Sequence, residues 1–198
     1  MQNMKIGIDI DGTVTEIIAP LVGFLRERGF VVPSYEDTAD YDLTKLWGCS
    51  KDELVRRVFE FYKSEEFRRL QPISGVREAF ALLFPPHEGY FITSRPAFVG
   101  PRTMEFFDVH FGGRLKSFYH LGEFGGNGCA ETKGAIAKRL NLDVFVEDAL
   151  HQAEEIASYG IPVLLMTQPW NRGRTLREGI VRVDGWKEIV DFVENYKK

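Results

Sequence analysis

Short apolar runs alternate with amphipathic segments along most of the chain after Pro72, and this alternation limits the fold more than any other feature. Short apolar runs bounded by turn residues predict buried strands, and apolar residues at a period near 3.6 predict helices. One earlier run, at residues 6–10, also has strand character. The later predicted strands are residues 90–93, 115–120, 144–146 and 163–166, and the predicted helices around them are residues 74–84, 101–107, 132–140 and 151–159. Strands that alternate with helices predict an α/β fold: a doubly wound, Rossmann-like parallel sheet with helices on both faces.

The stretch between the first strand and Pro72 has a different pattern, because its apolar residues follow helical spacing only. Ser50 and Glu53 form a capping box at the start of one of its helices. The predicted helices are residues 17–28, 50–62 and 64–70, with an irregular connection at 30–49. We therefore expect two units, which are an α/β core of residues 1–14 and 72–198 and a small helical cap of residues 15–71 inserted after the first strand.

Charge and cysteine content narrow the expected partners and compartment. The formal net charge of -4 gives no reason to expect a nucleic-acid polymer or an anionic membrane as a partner. The two cysteines, Cys49 and Cys129, lie far apart, as is typical of free thiols in a reducing cytoplasm. Nothing near Met1 resembles a signal peptide, and the apolar run at 17–25 is too short to span a bilayer. We expect a cytoplasmic protein, and the sequence leaves its oligomeric state, including a homodimer, open.

Two carboxylates stand at the carboxyl end of the first predicted strand. Asp9 and Asp11 are two residues apart, and alternate residues of an extended strand point to the same side. Two negative charges a few Å apart are unfavourable unless a cation or a proton is shared between them. The pair therefore predicts a divalent-metal site, and the alternative is a strand that runs into an Asp-Gly turn with solvated acids.

Polar residues also follow the other predicted strands. In an open parallel sheet, ligands bind beyond the carboxyl ends of the strands, so these residues would converge on one crevice. They are Thr93, Ser94 and Arg95 after one strand, Glu147 and Asp148 after another, and Lys133 at the start of the helix between them. Each has an ordinary alternative, which is a strand end, a helix N-terminus where acids are stabilised, or a solvated lysine. Four such accidents at one sheet edge are less plausible than one site.

These residues, in this order, resemble the four motifs of the haloacid-dehalogenase-like phosphohydrolases. The strings that carry the resemblance are Asp9-Ile10-Asp11-Gly12-Thr13-Val14, Thr93, Lys133 and Glu147-Asp148. A narrower resemblance, to the cytosolic 5′-deoxyribonucleotidases and their bacterial relatives, covers most of the chain. Its strings are Tyr41-Asp42-Leu43, Leu46-Trp47-Gly48-Cys49-Ser50, Ile92-Thr93-Ser94-Arg95-Pro96, Val146-Glu147-Asp148, Gln168-Pro169-Trp170-Asn171-Arg172, Arg182-Val183 and Trp186. That family carries a small helical cap between the first and second motifs.

The resemblance implies a mechanism. Asp9 would be the nucleophile that forms an aspartyl-phosphate, and Asp11 the general acid that protonates the leaving oxygen and later activates water. Mg²⁺ would be held by the Asp9 carboxylate, the Asp11 backbone carbonyl and the Asp148 carboxylate, with Glu147 behind them. The residues expected to contact the phosphate or the rest of the substrate are Thr93, Ser94, Arg95 and Lys133.

Three functions remain open at this point. The leading one is Mg²⁺-dependent hydrolysis of nucleoside monophosphates, and the second is hydrolysis of a sugar phosphate or another small metabolite. A distant alternative is a phospho-receiver signalling domain, which ranks lower because the predicted strand 90–93 ends in no Asp and a helical insertion follows the first strand. Cap aromatics could stack on a base or form the core of the cap, and they are Tyr35, Tyr41, Trp47, Phe59 and Tyr62. A Gly-rich loop at 122–128 either moves on binding or is a plain connection.

Overall fold

A computed structural model describes residues 3–40, 42–112, 117–121 and 131–196. Within these residues, six strands form one parallel sheet in the order β3-β2-β1-β4-β5-β6. The strands are β1 Lys5–Ile8, β2 Glu88–Thr93, β3 Phe118–His120, β4 Val144–Glu147, β5 Val163–Met166 and β6 Ile180–Val183. The helices are α1 Ile18–Glu27, α2 Leu43–Trp47, α3 Lys51–Lys63, α4 Glu65–Arg68, α5 Val76–Leu83, α6 Gly100–Phe111, α7 Lys133–Leu140, α8 Leu150–Ser158 and α9 Trp186–Asn195. A short 3₁₀ helix, Ala97–Val99, precedes α6. The predicted doubly wound α/β fold is confirmed.

Strand β1 lies at the centre of the sheet, with β2 on one side and β4 on the other. Gly7 pairs with Tyr90 of β2 and Phe145 of β4, and a Cβ on Gly7 would lie 2.4 Å from Cδ2 of Phe145. The missing side chain therefore lets the Phe145 ring pack against the strand. The chain adds β2 and β3 on one side of β1 and β4, β5 and β6 on the other, so the strand order reverses between β1 and β4. Ligands bind at the carboxyl ends of the strands at such a switch point.

The last strand and the last helix were not predicted: β6 extends the sheet at one edge, and α9 packs against β6 and α5. Strand β6 lies at the edge, and of its four residues only Ile180 and Val183 are buried. Three of its four residues, Ile180, Val181 and Val183, are β-branched, which is a strand signature, but the run is short and Arg182 interrupts it. The predicted strand at 115–120 is described as Phe118–His120, and the Gly-rich loop at 122–128 lies outside the described residues.

The helices α1–α4 lie between β1 and β2, where the cap is predicted, and the division at residues 15 and 71 stays a prediction. The two connections to this segment run side by side: Glu16 N donates to Gln71 O at 3.2 Å, and Ile73 N to Val14 O at 2.8 Å. Inside the segment, the Phe61 ring lies 5.4 Å from Phe24. Among the described residues, no helix has the length and apolar character needed to cross a membrane.

His87 marks the opposite end of the sheet from the carboxyl ends of the strands. It is buried, and its Nδ1 accepts a hydrogen bond from Met4 N at 3.1 Å, which requires that nitrogen to be unprotonated. Burial lowers the pKa of His87 below its usual 6.5. The unfolded chain therefore takes up this proton at a higher pH than the folded chain does, so the stability due to neutral His87 is present above about pH 6.5 and is lost as the pH falls below it.

We expect the replacement His87→Asn to reduce this pH dependence. Asn offers an oxygen acceptor near the position of Nδ1 and does not titrate. The free energy of unfolding of the native protein should fall relative to the variant by about 0.5–1.5 kcal/mol between pH 7.5 and 5.5, which is the value of one such hydrogen bond. Urea unfolding of both proteins across this range measures the difference. Parallel curves at all pH values would contradict the prediction.

Candidate active site

The turn after β1 places Asp9 inside the protein. Its side chain is only 6% exposed, which excludes the alternative of a solvated acid at this position. The Thr13 hydroxyl donates to the Asp9 backbone carbonyl, and Gly12 has φ 81°. A Cβ on Gly12 would lie 2.2 Å from Oδ2 of Asp148. Glycine is therefore required both by the left-handed backbone and by the close approach of the second carboxylate.

Lys133 joins two of the predicted site carboxylates. It lies in the first turn of α7, which is capped by the Thr132 hydroxyl, and its side chain is 3% exposed. Its Nζ lies 2.7 Å from Oδ1 of Asp9 and 2.7 Å from Oε2 of Glu147. Burial would lower the pKa of Lys133, but the two carboxylates outweigh it and raise that pKa well above its usual range. Because its side chain is buried and paired with two carboxylates, Lys133 is not a solvated residue at a helix start.

Glu147 and Asp148 have different surroundings at the end of β4. Oε1 of Glu147 accepts hydrogen bonds from the backbone N–H groups of Asp148, at 3.0 Å, and Ala149, at 3.1 Å. With Lys133 on its other oxygen, Glu147 holds the turn and the lysine together. Burial raises the pKa of Asp148 well above its usual range, and the negative charges of Glu147 and Asp9 raise it further.

The three buried carboxylates form a set of ligands that fits a divalent cation. Asp9, Glu147 and Asp148 each offer an oxygen, and these oxygens lie within 4.8 Å of one another. Burial, with the nearby Glu147 and Asp11 charges, raises the pKa of Asp9 to about 7 even though Lys133 opposes the shift. Full ionisation of all three carboxylates beside one ammonium would leave two negative charges uncompensated. A divalent cation would balance them, and hard oxygen ligands of this kind suit Mg²⁺.

Asp11 is bound by Arg95, the second cation of the site. Nε of Arg95 lies 2.9 Å from Oδ2 of Asp11, and Nη2 contacts Oδ1 of the same carboxylate. The Thr15 hydroxyl also donates to Oδ1 at 2.9 Å. The Thr93 hydroxyl accepts the backbone N–H of Arg95 at 3.2 Å, so the turn after β2 reaches the turn after β1.

A cavity of about 480 Å³ lies beside these groups and brings the sequence-predicted residues onto one surface. The predicted site residues that line it are Asp9, Asp11, Thr93, Ser94, Arg95, Lys133 and Asp148. The segment between β1 and β2 contributes both aliphatic and polar side chains to the lining. The aliphatic ones are Ile17, Ile18, Leu21, Leu43, Leu54, Val55 and Val58, and the polar ones are Thr38, Asp40, Asp42, Thr44 and Lys51. Of the described aromatic residues in this segment, Tyr62 lines the cavity. Tyr41 lies outside the described residues.

The loop after β5 contains three further candidates, Gln168, Trp170 and Asn171, whose roles the sequence alone does not indicate. Trp170 Nε1 and Asn171 Nδ2 both donate to the Asp148 backbone carbonyl, at 3.2 and 2.7 Å. Gln168 Nε2 donates to the Gly12 carbonyl at 2.6 Å. The loop therefore fixes the turns that carry Asp148 and Asp9. The only sequence signal for this loop was its position directly after a predicted strand. Its neutral amide and indole side chains match no catalytic or metal-binding motif.

Comparison with known proteins gives relatives over the whole length of the chain. The Bacillus subtilis protein "Putative nucleotidase YqfW" is 30% identical over 201 residues, which cover 98% of this chain and 95% of that protein. The Halalkalibacterium halodurans protein "Putative nucleotidase BH1399" is 29% identical over 195 residues, covering 98% of this chain and 94% of that protein. No protein-family model matches the chain.

A solved structure has the same fold. The Streptococcus pneumoniae protein "Hydrolase, haloacid dehalogenase-like family protein SP0104" superposes with a TM-score of 0.66 at 14% identity. The alignment covers 96% of this chain and 98% of that one, so the core and the segment between β1 and β2 are both included.

Proposed function

The chain belongs to the haloacid-dehalogenase-like phosphohydrolases, and we propose that it is a Mg²⁺-dependent phosphatase that hydrolyses nucleoside 5′-monophosphates. The observation that carries this proposal is the buried set of Asp9, Lys133 and Asp148, which lines one cavity together with aliphatic and polar residues of the segment between β1 and β2. Family membership leaves the receiver-domain alternative without support. The cytoplasmic location and the homodimer stay predictions.

The proposed reaction has two steps on Asp9. A carboxylate oxygen of Asp9 forms a bond to phosphorus while the ester P–O bond breaks, and Asp11 gives its proton to the leaving oxygen. Water then gives a proton to Asp11 and bonds to phosphorus, and the Asp9–phosphorus bond breaks. Mg²⁺, held by Asp9, Asp148 and the Asp11 backbone carbonyl, would neutralise charge on the phosphoryl oxygens.

Lys133 and Thr93 have supporting roles in this proposal. The Lys133 ammonium restrains Asp9 through its 2.7 Å contact and adds positive charge where the phosphoryl oxygens would lie. Thr93 lines the cavity and offers a hydroxyl at the carboxyl end of β2. Such fixed charges and donors are effective because the buried site needs little reorganisation during the reaction.

The cavity favours a monophosphate whose remaining part has both apolar and polar surface. Among the described residues, its lining cations are Lys51, Arg95 and Lys133, and the last two are already paired with carboxylates. Charge for a second or third phosphate is therefore limited. The aliphatic side chains of the segment between β1 and β2 offer surface for the face of a base, and Thr38, Asp40, Asp42 and Thr44 beside them offer hydrogen-bond partners for sugar hydroxyl groups. This mixed lining suits a nucleoside monophosphate, which has both parts.

A substrate panel with and without metal tests the proposal. Phosphate release is measured from nucleoside 5′-monophosphates, hexose phosphates and small metabolite phosphates with Mg²⁺ present. We expect kcat/KM for at least one nucleoside monophosphate to exceed that for every sugar phosphate by at least about tenfold. A sugar phosphate as the preferred substrate would favour the second function on the same machinery.

Removal of metal should stop the reaction. Dialysis against EDTA is expected to lower kcat by a factor on the order of a hundred or more, because the charge compensation at the phosphoryl group is lost. Added Mg²⁺ should restore the rate, while Na⁺ at equal ionic strength serves as the control. Full activity of the dialysed protein would contradict a metal-dependent mechanism.

A further inference from the structure

Arg95 is more deeply buried and more fully engaged than a phosphate-binding arginine needs to be. Its side chain is 1% exposed, and each guanidinium nitrogen has a partner. Nε and Nη2 bind Asp11, Nη1 lies 3.0 Å from the Thr103 hydroxyl, and Nη2 also lies 3.2 Å from the Thr15 hydroxyl. These contacts use four of the five guanidinium N–H groups, which leaves at most one N–H, on Nη1, for a phosphate oxygen.

The surroundings of Arg95 fix the plane of its guanidinium group. Thr103 lies on α6, and its hydroxyl donates to Val99 O at 3.2 Å, so the acceptor for Nη1 is itself held in place. The Phe67 ring of α4 lies 5.0 Å from the guanidinium carbon. The backbone N–H of Arg95 is bound by the Thr93 hydroxyl. The two guanidinium nitrogens that face Asp11, Nε and Nη2, form a planar fork that is therefore preorganised.

This fork determines the position of both Asp11 oxygens. Oδ2 receives Nε, and Oδ1 receives Nη2 and the Thr15 hydroxyl. A bidentate arginine–carboxylate pair fixes the orientation of the carboxylate as well as its distance. The Asp11 side chain remains 24% exposed and lines the cavity.

We propose that Arg95 is the positioning residue for Asp11: it acts through this carboxylate and orients it toward the leaving oxygen, without binding the phosphate. The proposal rests on the phosphatase function proposed above. Lysine cannot replace Arg95 in this role, because a point charge on a flexible stem does not supply the planar fork.

Leaving-group dependence tests the proposal. Departure of a nucleoside 5′-alkoxide needs a proton from Asp11, whereas p-nitrophenolate leaves without one. In Arg95→Met and Arg95→Lys, we expect kcat for the best alkyl phosphate of the panel to fall about a hundredfold or more, and kcat for p-nitrophenyl phosphate to fall less than about tenfold. KM should change little for either substrate. Asp11→Asn should give the same split.

Arg102 supplies a matched control. It is an arginine of α6 whose guanidinium group donates to the Tyr62, Ser64 and Lys63 backbone carbonyls rather than to Asp11. Arg102→Met should show no difference between the two substrates. If Arg95→Met does not fold, Thr15→Val removes one donor to Asp11 Oδ1, and it is expected to show a smaller split in the same direction.

Three outcomes overturn the inference. Equal loss on both substrates in Arg95→Met and Arg95→Lys would mean a structural role only. A raised KM with unchanged kcat on both would mean direct phosphate binding. If the native protein hydrolyses neither ester, the proposed function fails and this inference fails with it. If the native protein is active but the Arg95 variants lose the same activity on both esters, only the inference is overturned.

Discussion

Asp9→Asn is expected to lower phosphatase activity by at least about 10⁴-fold, because an amide cannot attack phosphorus as a carboxylate does. The substitution is nearly isosteric, and its carbonyl oxygen can still accept the hydrogen bond that Lys133 now donates to Oδ1. The loss should therefore appear in kcat with the fold intact. Phosphate release in Mg²⁺ with the best substrate of the panel measures it, and thermal unfolding of both proteins checks the fold.

Asp143 provides the matched control for this experiment. Its Oδ2 accepts the Lys5 backbone N–H at 2.9 Å, at the opposite end of the sheet from the cavity. Asp143→Asn changes the same functional group and should leave kcat within about threefold of the native value. An Asp9→Asn protein that keeps native activity would rule out Asp9 as the nucleophile.

The convergence of the site could be predicted because the sheet is parallel. Asp9, Asp148 and the Thr93 turn each follow a buried strand, and the carboxyl ends of parallel strands lie at one edge. The distance of 2.7 Å between Lys133 and Asp9, which are 124 residues apart, follows from this topology. The sequence order of strands and helices was therefore enough to bring these groups together.

The partners of the site residues could not be predicted in the same way. Arg95 was expected to contact phosphate, yet the structure places it on Asp11, 84 positions away. The sequence is compatible with an arginine that contacts phosphate and with one that contacts Asp11. Only the burial of the guanidinium group between α4 and α6 distinguishes these two arrangements. The role of Asn171 depends likewise on a carbonyl 23 positions away, which no side-chain pattern indicates.

The missed elements at the end of the chain both carry a sequence signal. Strand β6 is a run of only four residues, Ile180–Val183, but three of them are β-branched. Helix α9 has its buried residues Trp186, Ile189, Val190 and Val193 at helical spacing and could have been recognised. The Trp186 indole donates to the Thr13 carbonyl at 2.8 Å, so this last helix also supports the turn that carries Asp9.

Lys133→Met is expected to weaken both stability and catalysis. The substitution keeps an unbranched chain of similar length but leaves Asp9 and Glu147 buried without their cation. Breaking a buried ion pair by removal of one partner costs about 3–5 kcal/mol. The loss of a fixed charge beside the phosphoryl group should also lower kcat by about 10²–10³-fold. Urea unfolding and initial-rate kinetics at pH 8 measure the two effects.

Metal should reduce the stability loss in this variant, because a divalent cation compensates the same carboxylates as the lysine does. We expect the difference in unfolding free energy between native protein and Lys133→Met to be larger in EDTA than in Mg²⁺. Lys138→Met, an exposed position on the same helix, should change stability by less than about 0.5 kcal/mol in either condition. If the Lys133→Met protein were as stable as the native one in EDTA, the ammonium would contribute no net compensation. The negative charge of Asp9 and Glu147 would then have to be compensated by groups other than the Lys133 ammonium.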